Sequence, residues 1–101
     1  MSRPSFELRM TAEAQSQIEK IMEDPAKGGL QKQLKKSFGH LSSNPQYPGL
    51  NSHPMAAFEN VYGLKVFSSY VQNKTPQAYR ILWTYGPKSN QITVLAVIPH
   101  Y

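Results

Sequence analysis

The chain stops on a histidine and a tyrosine. His100 and Tyr101 follow the strand-like run Val94–Ile98 and Pro99. Imidazole has an unperturbed pKa of about 6.5, so near neutrality it can give or take a proton. A phenol ring beside it can stack on another ring and donate a hydrogen bond. Chain ends usually carry little, so this pairing marks a candidate site. The other two histidines, His40 and His53, are scattered, and no acidic pair accompanies any of the three. That spacing offers no metal cluster, and no metal or other cofactor is expected. Lys65 and Arg80 are the only charges in the β-type runs of the C-terminal half. A guanidinium there is suited to phosphate oxygens, which it can bind through paired hydrogen bonds.

The whole chain is basic. Its 101 residues hold 11 Lys and Arg against 6 Asp and Glu, a formal charge of +5. In a domain this small such an excess attracts polyanions, nucleic acid being the commonest and an acidic protein the alternative. With 40% hydrophobic residues and 17% charged, the composition excludes a disordered charged tail. The absence of cysteine excludes a disulfide framework and any thiolate metal site, and fits a reducing compartment. No apolar run reaches the roughly 18–20 residues of a membrane span, and "MSRPSFELRM" has no apolar signal core. The expectation is a cytoplasmic protein without a membrane partner, forming a single domain over 1–101.

The elements that must position these residues follow from periodicity. In "SFELRM", Phe6, Leu8 and Met10 alternate with Ser5, Glu7 and Arg9, which predicts a half-buried strand. Thr11 can cap the next helix, along which Ala14, Ile18, Ile21 and Met22 recur. Asp24-Pro25 ends it and can open a second helix, whose stripe is Leu30, Leu34, Phe38 and Leu41. Lys32, Lys35 and Lys36 lie off that stripe. His40 sits near the helix end, where a cation suits the dipole. "SSNPQYPGLNSHP" is rich in Pro, Gly and Asn and reads as a loop. Three strand-like runs follow, "GLKVFSSYV", "AYRILWTYG" and "QITVLAVI", joined by "QNKTPQ" and "GPKSN". The predicted fold is α+β: an N-terminal strand, a helical hairpin, then a three-stranded antiparallel meander, forming one sheet with the helices on one face.

Alternation divides the sheet. Leu64, Val66, Tyr79, Ile81, Trp83, Leu95 and Val97 form the more apolar set and are expected under the helices. Lys65, Phe67, Ser69, Arg80, Leu82, Thr84, Val94, Ala96, Ile98 and His100 form the other. A connector symmetric about Lys74-Thr75 would set Ser69 opposite Arg80, with Lys65 further along the same face. Such a face can seat a phosphate backbone, or its cations can simply solvate an open sheet side. Tyr70, Tyr79 and Tyr85 read as packing or rim residues, and Trp83 as core.

The element order, the segment "NPQYPGLNSHPM", the "AYRILW" run and the "HY" ending together resemble the RelE/ParE superfamily of bacterial toxin–antitoxin toxins. The resemblance spans essentially the whole chain. It implies a RelE/YoeB-like, ribosome-dependent mRNA endonuclease that uses no metal. It implies that His53 removes the 2′-hydroxyl proton and that Arg80 holds the scissile phosphate. His100 would protonate the leaving oxygen or orient the phosphate, Tyr101 would stack on or orient a base, and Lys65 would add positive potential. Lys32, Lys35 and Lys36 would lie on ribosomal RNA, serve an acidic antitoxin, or only solvate the helix. A cognate antitoxin, the ribosome and mRNA are the implied partners. A ParE-like inhibitor of DNA gyrase and a non-catalytic RNA- or protein-binding relative remain the alternatives.

Overall fold

A computed structural model describes residues 5–71 and 78–99. Strand β1 (Glu7–Met10) runs parallel to the last strand, with Leu8 beside Ile92. Thr11 ends it. Its Oγ1 accepts from the Ala14 N–H at 3.1 Å, capping α1 (Ala12–Glu23), and donates to the Leu95 carbonyl at 2.9 Å. Asp24 accepts from the Ala26 N–H at 2.9 Å and opens a single 3₁₀ turn, Pro25–Lys27, which leads into α2 (Gly28–Ser43). The predicted stripe is the buried one: Leu30, Leu34 and Leu41 are buried and Phe38 packs beside them.

After α2 a second 3₁₀ turn, Pro48–Leu50, leads to the two-residue strand β2 (His53–Pro54) and then to α3 (Ala56–Tyr62). Gly63 closes α3 at φ +72°, a conformation that costs glycine nothing. Strands β3 (Phe67–Tyr70), β4 (Tyr79–Tyr85) and β5 (Gln91–Pro99) form the antiparallel meander. The turn between β4 and β5 places Gly86 at φ +110°, and the Gly86 N–H donates to the Gln91 carbonyl at 2.8 Å. The sheet order is β1-β5-β4-β3-β2.

The α+β class and the meander stand as the sequence predicts. The sheet gains β2 at one edge, and a third helix, α3, occupies the stretch between the proline-rich loop and β3. Helices α1 and α2 cover one face with a core that includes Ile81, Trp83, Ile92, Val94 and Val97. The opposite face carries Val66, Leu82, Leu95 and Ala96, with Met55 and the α3 residues Phe58 and Tyr62 packed on them. Helices therefore lie on both faces, not one. Burial of apolar surface favours a short helix there, and the half-buried Phe58 and Tyr62 supply that surface.

The face assignment also changes. Val66 and Leu95 lie opposite the hairpin of helices, Leu64 is 43% exposed, and Phe67 and Val94 join the helix-side core. The register explains β3: Ser69 pairs with Ile81, and Tyr70, not Ser69, pairs with Arg80. A slip of one residue exchanges the two faces of a strand. In β5 the ladder steps from Leu82–Ala96 to Trp83–Val94, leaving Leu95 as the extra residue of a bulge. Among the described residues no helix is long and apolar enough to cross a membrane.

Candidate functional site

The sheet face away from α1 and α2 gathers three of the residues that could do chemistry. Tyr70 and Arg80 are direct cross-strand partners, and Arg80 pairs in turn with Ile98 of β5. His53 pairs with Ser68, two residues before Tyr70 on the same face of β3. The His53 and Tyr70 rings meet edge to face, with centroids 6.0 Å apart at 75°.

The loop that delivers His53 is held by its own backbone. Asn51 adopts φ +48°, in the left-handed region that asparagine tolerates, and its N–H donates to the Pro48 carbonyl at 3.1 Å. The Asn51 carbonyl then lies 2.9 Å from His53 Nδ1. A carbonyl only accepts, so Nδ1 carries the proton in this contact. In the neutral ring Nε2 is then the acceptor, the form a general base requires. Pro54 has no N–H to donate, which suits a short edge strand.

Arg80 is a cation placed where cations are costly. Only 8% of its surface is exposed. Its Nη1 meets the thioether sulfur of Met55 at 3.7 Å, and its Nε is buried without a hydrogen-bond partner. Among the described residues no carboxylate pairs with it. Ser68 Oγ, on the same face, is also buried and unpartnered. Buried polar groups are nearly always satisfied, and an unpaired buried charge costs several kcal/mol, on the order of the penalty for breaking a buried ion pair. An anion arriving beside Arg80 would relieve that cost. The Met55 N–H donates to the Val66 carbonyl at 2.8 Å, which fixes the side chain that screens the guanidinium.

The remaining sequence candidates divide. Lys65 is exposed ahead of β3 and steps out of phase with Ser68 and Tyr70, so it does not share Arg80's face as expected. Lys32 and Lys35 are exposed on α2. Lys36, also exposed, borders a cavity of about 360 Å³ whose far wall includes Tyr70. His40 borders the same cavity. His100 and Tyr101 lie outside the described residues. Tyr70, which sequence alternation reads as a packing or rim residue, is the group that links His53 to Arg80. The pairing register and the His53–Tyr70 ring contact show this together.

No protein-family model and no curated protein sequence matches the chain. Solved structures do. A YoeB/ParE toxin from Agrobacterium tumefaciens superposes with a TM-score of 0.70 over 95% of this chain and 100% of its own, at 11% identity. The YoeB toxin in a heterotetrameric YoeB–YefM toxin–antitoxin complex from Staphylococcus aureus gives 0.68 over 99% and 100%, at 12% identity. An archaeal RelE–RelB complex from Pyrococcus horikoshii gives 0.64 over 94% of each chain, at 10% identity. The chain thus has the fold of the RelE/ParE-superfamily toxins, over nearly its full length.

Proposed function

We propose that this protein is the toxin of a toxin–antitoxin pair and a metal-independent endoribonuclease that cuts mRNA on the ribosome. The observation that carries the reading is the gathering of His53, Tyr70 and a buried Arg80, which has no carboxylate beside it among the described residues, on one sheet face of this fold. RNA brings its own nucleophile. His53 Nε2 takes the 2′-hydroxyl proton as that oxygen attacks the phosphorus. Arg80 binds the phosphate oxygens, where negative charge builds in the transition state. The bond to the 5′-oxygen breaks, and His100 protonates that oxygen as it leaves. The products are a 2′,3′-cyclic phosphate and a 5′-hydroxyl. Tyr101 orients a base beside the cut, and Lys65 contributes positive potential from a distance. The helix lysines Lys32 and Lys35 face solvent, where they can lie on ribosomal RNA phosphates.

The complexes among the structural neighbours support a cognate antitoxin as the partner. In that setting the protein acts in the cytoplasm. The ParE element in one neighbour's name favours gyrase inhibition as the second reading.

Translating ribosomes incubated with the protein, followed by mapping of RNA ends, test the proposal. Cuts in the ribosomal A site carrying 5′-hydroxyl ends are expected. His53→Ala and His100→Ala should each slow single-turnover cleavage by roughly 10²- to 10⁴-fold, the usual cost of losing a positioned acid or base. Loss of DNA supercoiling activity of gyrase without RNA cuts would replace this reading with the second.

A further inference from the structure

We propose that the cavity between α2 and the Pro48–Leu50 turn is a subsite for a nucleotide flanking the scissile linkage. This rests on the reading of His53 and Arg80 as the RNA-cleaving centre. The cavity measures about 360 Å³, within the range of small-ligand sites. Its walls carry what a nucleotide needs. Tyr47 supplies an aromatic surface, Gln33 an amide that both donates and accepts, and Lys36 a cation for phosphate.

The aromatic wall is built in advance. The Tyr47 and His40 rings stack with centroids 4.0 Å apart and planes within 6°. Gly49 lies against the other part of the ring: a Cβ added there would fall 2.6 Å from Tyr47 Cε2. The imidazole thus takes one face of the ring and Gly49 abuts its Cε2 edge, and the residue keeps 40% of its surface exposed. Exposed tyrosine side chains usually lose rotamer freedom when they bind. A ring already confined loses little. His40 Nε2 is buried in the wall without a hydrogen-bond partner, a polar group that a ligand's edge could satisfy.

The position is as informative as the lining. Tyr70 is a wall of this cavity, meets His53 edge to face, and pairs with Arg80 across one strand spacing, about 4.8 Å. The cavity lies on the α2 side of the sheet and Arg80 on the other, so an RNA strand with its scissile phosphate on Arg80 reaches the cavity by turning past Tyr70 at the end of β3, beyond the two residues that β2 pairs. There the base lies on Tyr47, and Lys36 meets a flanking phosphate.

The test uses the full-length protein and a 2′-O-methylated hexanucleotide of mixed sequence, which cannot be cut because its 2′-oxygens are blocked. NMR chemical shifts should move at Gln33, Lys36, His40 and Tyr47 as well as at His53 and Arg80. Tyr47→Leu should weaken binding about tenfold, the loss of one base–aromatic stack. Lys36→Met should reduce the slope of log affinity against log salt by about 0.7, one single-strand phosphate contact. Gly49→Ala removes no functional group. It should weaken binding several-fold by displacing the Tyr47 ring, with the melting temperature unchanged. Shifts confined to His53 and Arg80, with all three variants binding as wild type, would overturn the subsite and leave the cleavage reading standing. Shifts at the cavity that persist in Arg80→Met, with none around Arg80, would uphold a nucleotide site and remove Arg80 from it. An oligonucleotide that moves no resonance at all would overturn the proposal.

Discussion

Ser68 and Ser69 are neighbours in β3, and both are fully buried, yet they belong to different regimes. Ser69 faces the helices and is completely used. Its Oγ accepts from Trp83 Nε1 at 2.8 Å and lies 2.7 Å from Ser52 Oγ, which donates to the Pro45 carbonyl at 2.7 Å. Because Ser52 spends its only proton on Pro45, Ser69 must donate to Ser52. The chain of bonds closes with no polar atom left over, and it fastens the proline-rich loop to the core. Ser68 faces the other way, with no partner, near an arginine whose Nε has none either. One face of the sheet converts its polar groups into stability. The other leaves Ser68 Oγ and Arg80 Nε buried and unsatisfied. A buried polar group without a partner calls for a specific explanation, and an anion beside Arg80 would supply one.

Breaking that contrast should give its largest effect at Arg80. Arg80→Met should lower cleavage by about 10²- to 10³-fold, the range for removing one preorganised charge stabiliser. The melting temperature should hold or rise, because the variant removes a buried charge that no carboxylate pairs among the described residues. A marked fall in melting temperature would mean that Arg80 is structural and that the two faces do not differ. On the helix side the signs reverse. Trp83→Ala should destabilise the fold by about 3–5 kcal/mol, as for other large buried aromatics. Ser69→Ala, which orphans Trp83 Nε1, should cost about 1–3 kcal/mol. Ser68→Ala should cost nothing or add about 1 kcal/mol, because it removes a desolvated hydroxyl. Urea denaturation measures all three. Equal losses for Ser68→Ala and Ser69→Ala would erase the distinction.

What the sequence made legible was local. The Thr11 cap, the Leu30–Leu34–Leu41 stripe and the Gly86-Pro87 turn depend on residues a few positions apart, and each sits where the pattern placed it. The faces of β3 and β5 depend on pairing across the sheet. Met55 bonding to Val66, His53 set against Ser68 and the bulge at Leu95 decide them, and no short window contains that information. Helix α3 did leave a trace, Phe58 and Tyr62 four apart with Gly63 behind them. Seven residues after a proline-rich segment make a weak periodic signal, and tertiary burial rather than propensity sustains so short a helix. For the candidate site, Arg80 stood out as one of two charges in the strand-like runs, and His53 through family resemblance. Tyr70 did not, because its place beside Arg80 appears only once the register is known.

The cover over the unsatisfied face offers the smallest and most specific test. Tyr62 of α3 is hydrogen-bonded to Glu13 of α1, and its phenol is pushed above its ordinary value of 10.0 by burial first, then by the carboxylate's charge and hydrogen bond. In the unfolded chain Tyr62 ionises near the ordinary value, while in the fold it keeps its proton to higher pH. The native state then binds more protons than the unfolded state, so stability must fall with rising pH across that interval. The contribution is complete below pH 10.0 and is lost as pH climbs through the folded value. Other tyrosines ionise in the same range, so the informative quantity is a difference. Urea midpoints of the wild type and Tyr62→Phe, compared from about pH 8 to about pH 11, should diverge only at the alkaline end, with the wild type falling faster. Parallel curves would mean that the Glu13 link does not tie α3 to the folded core.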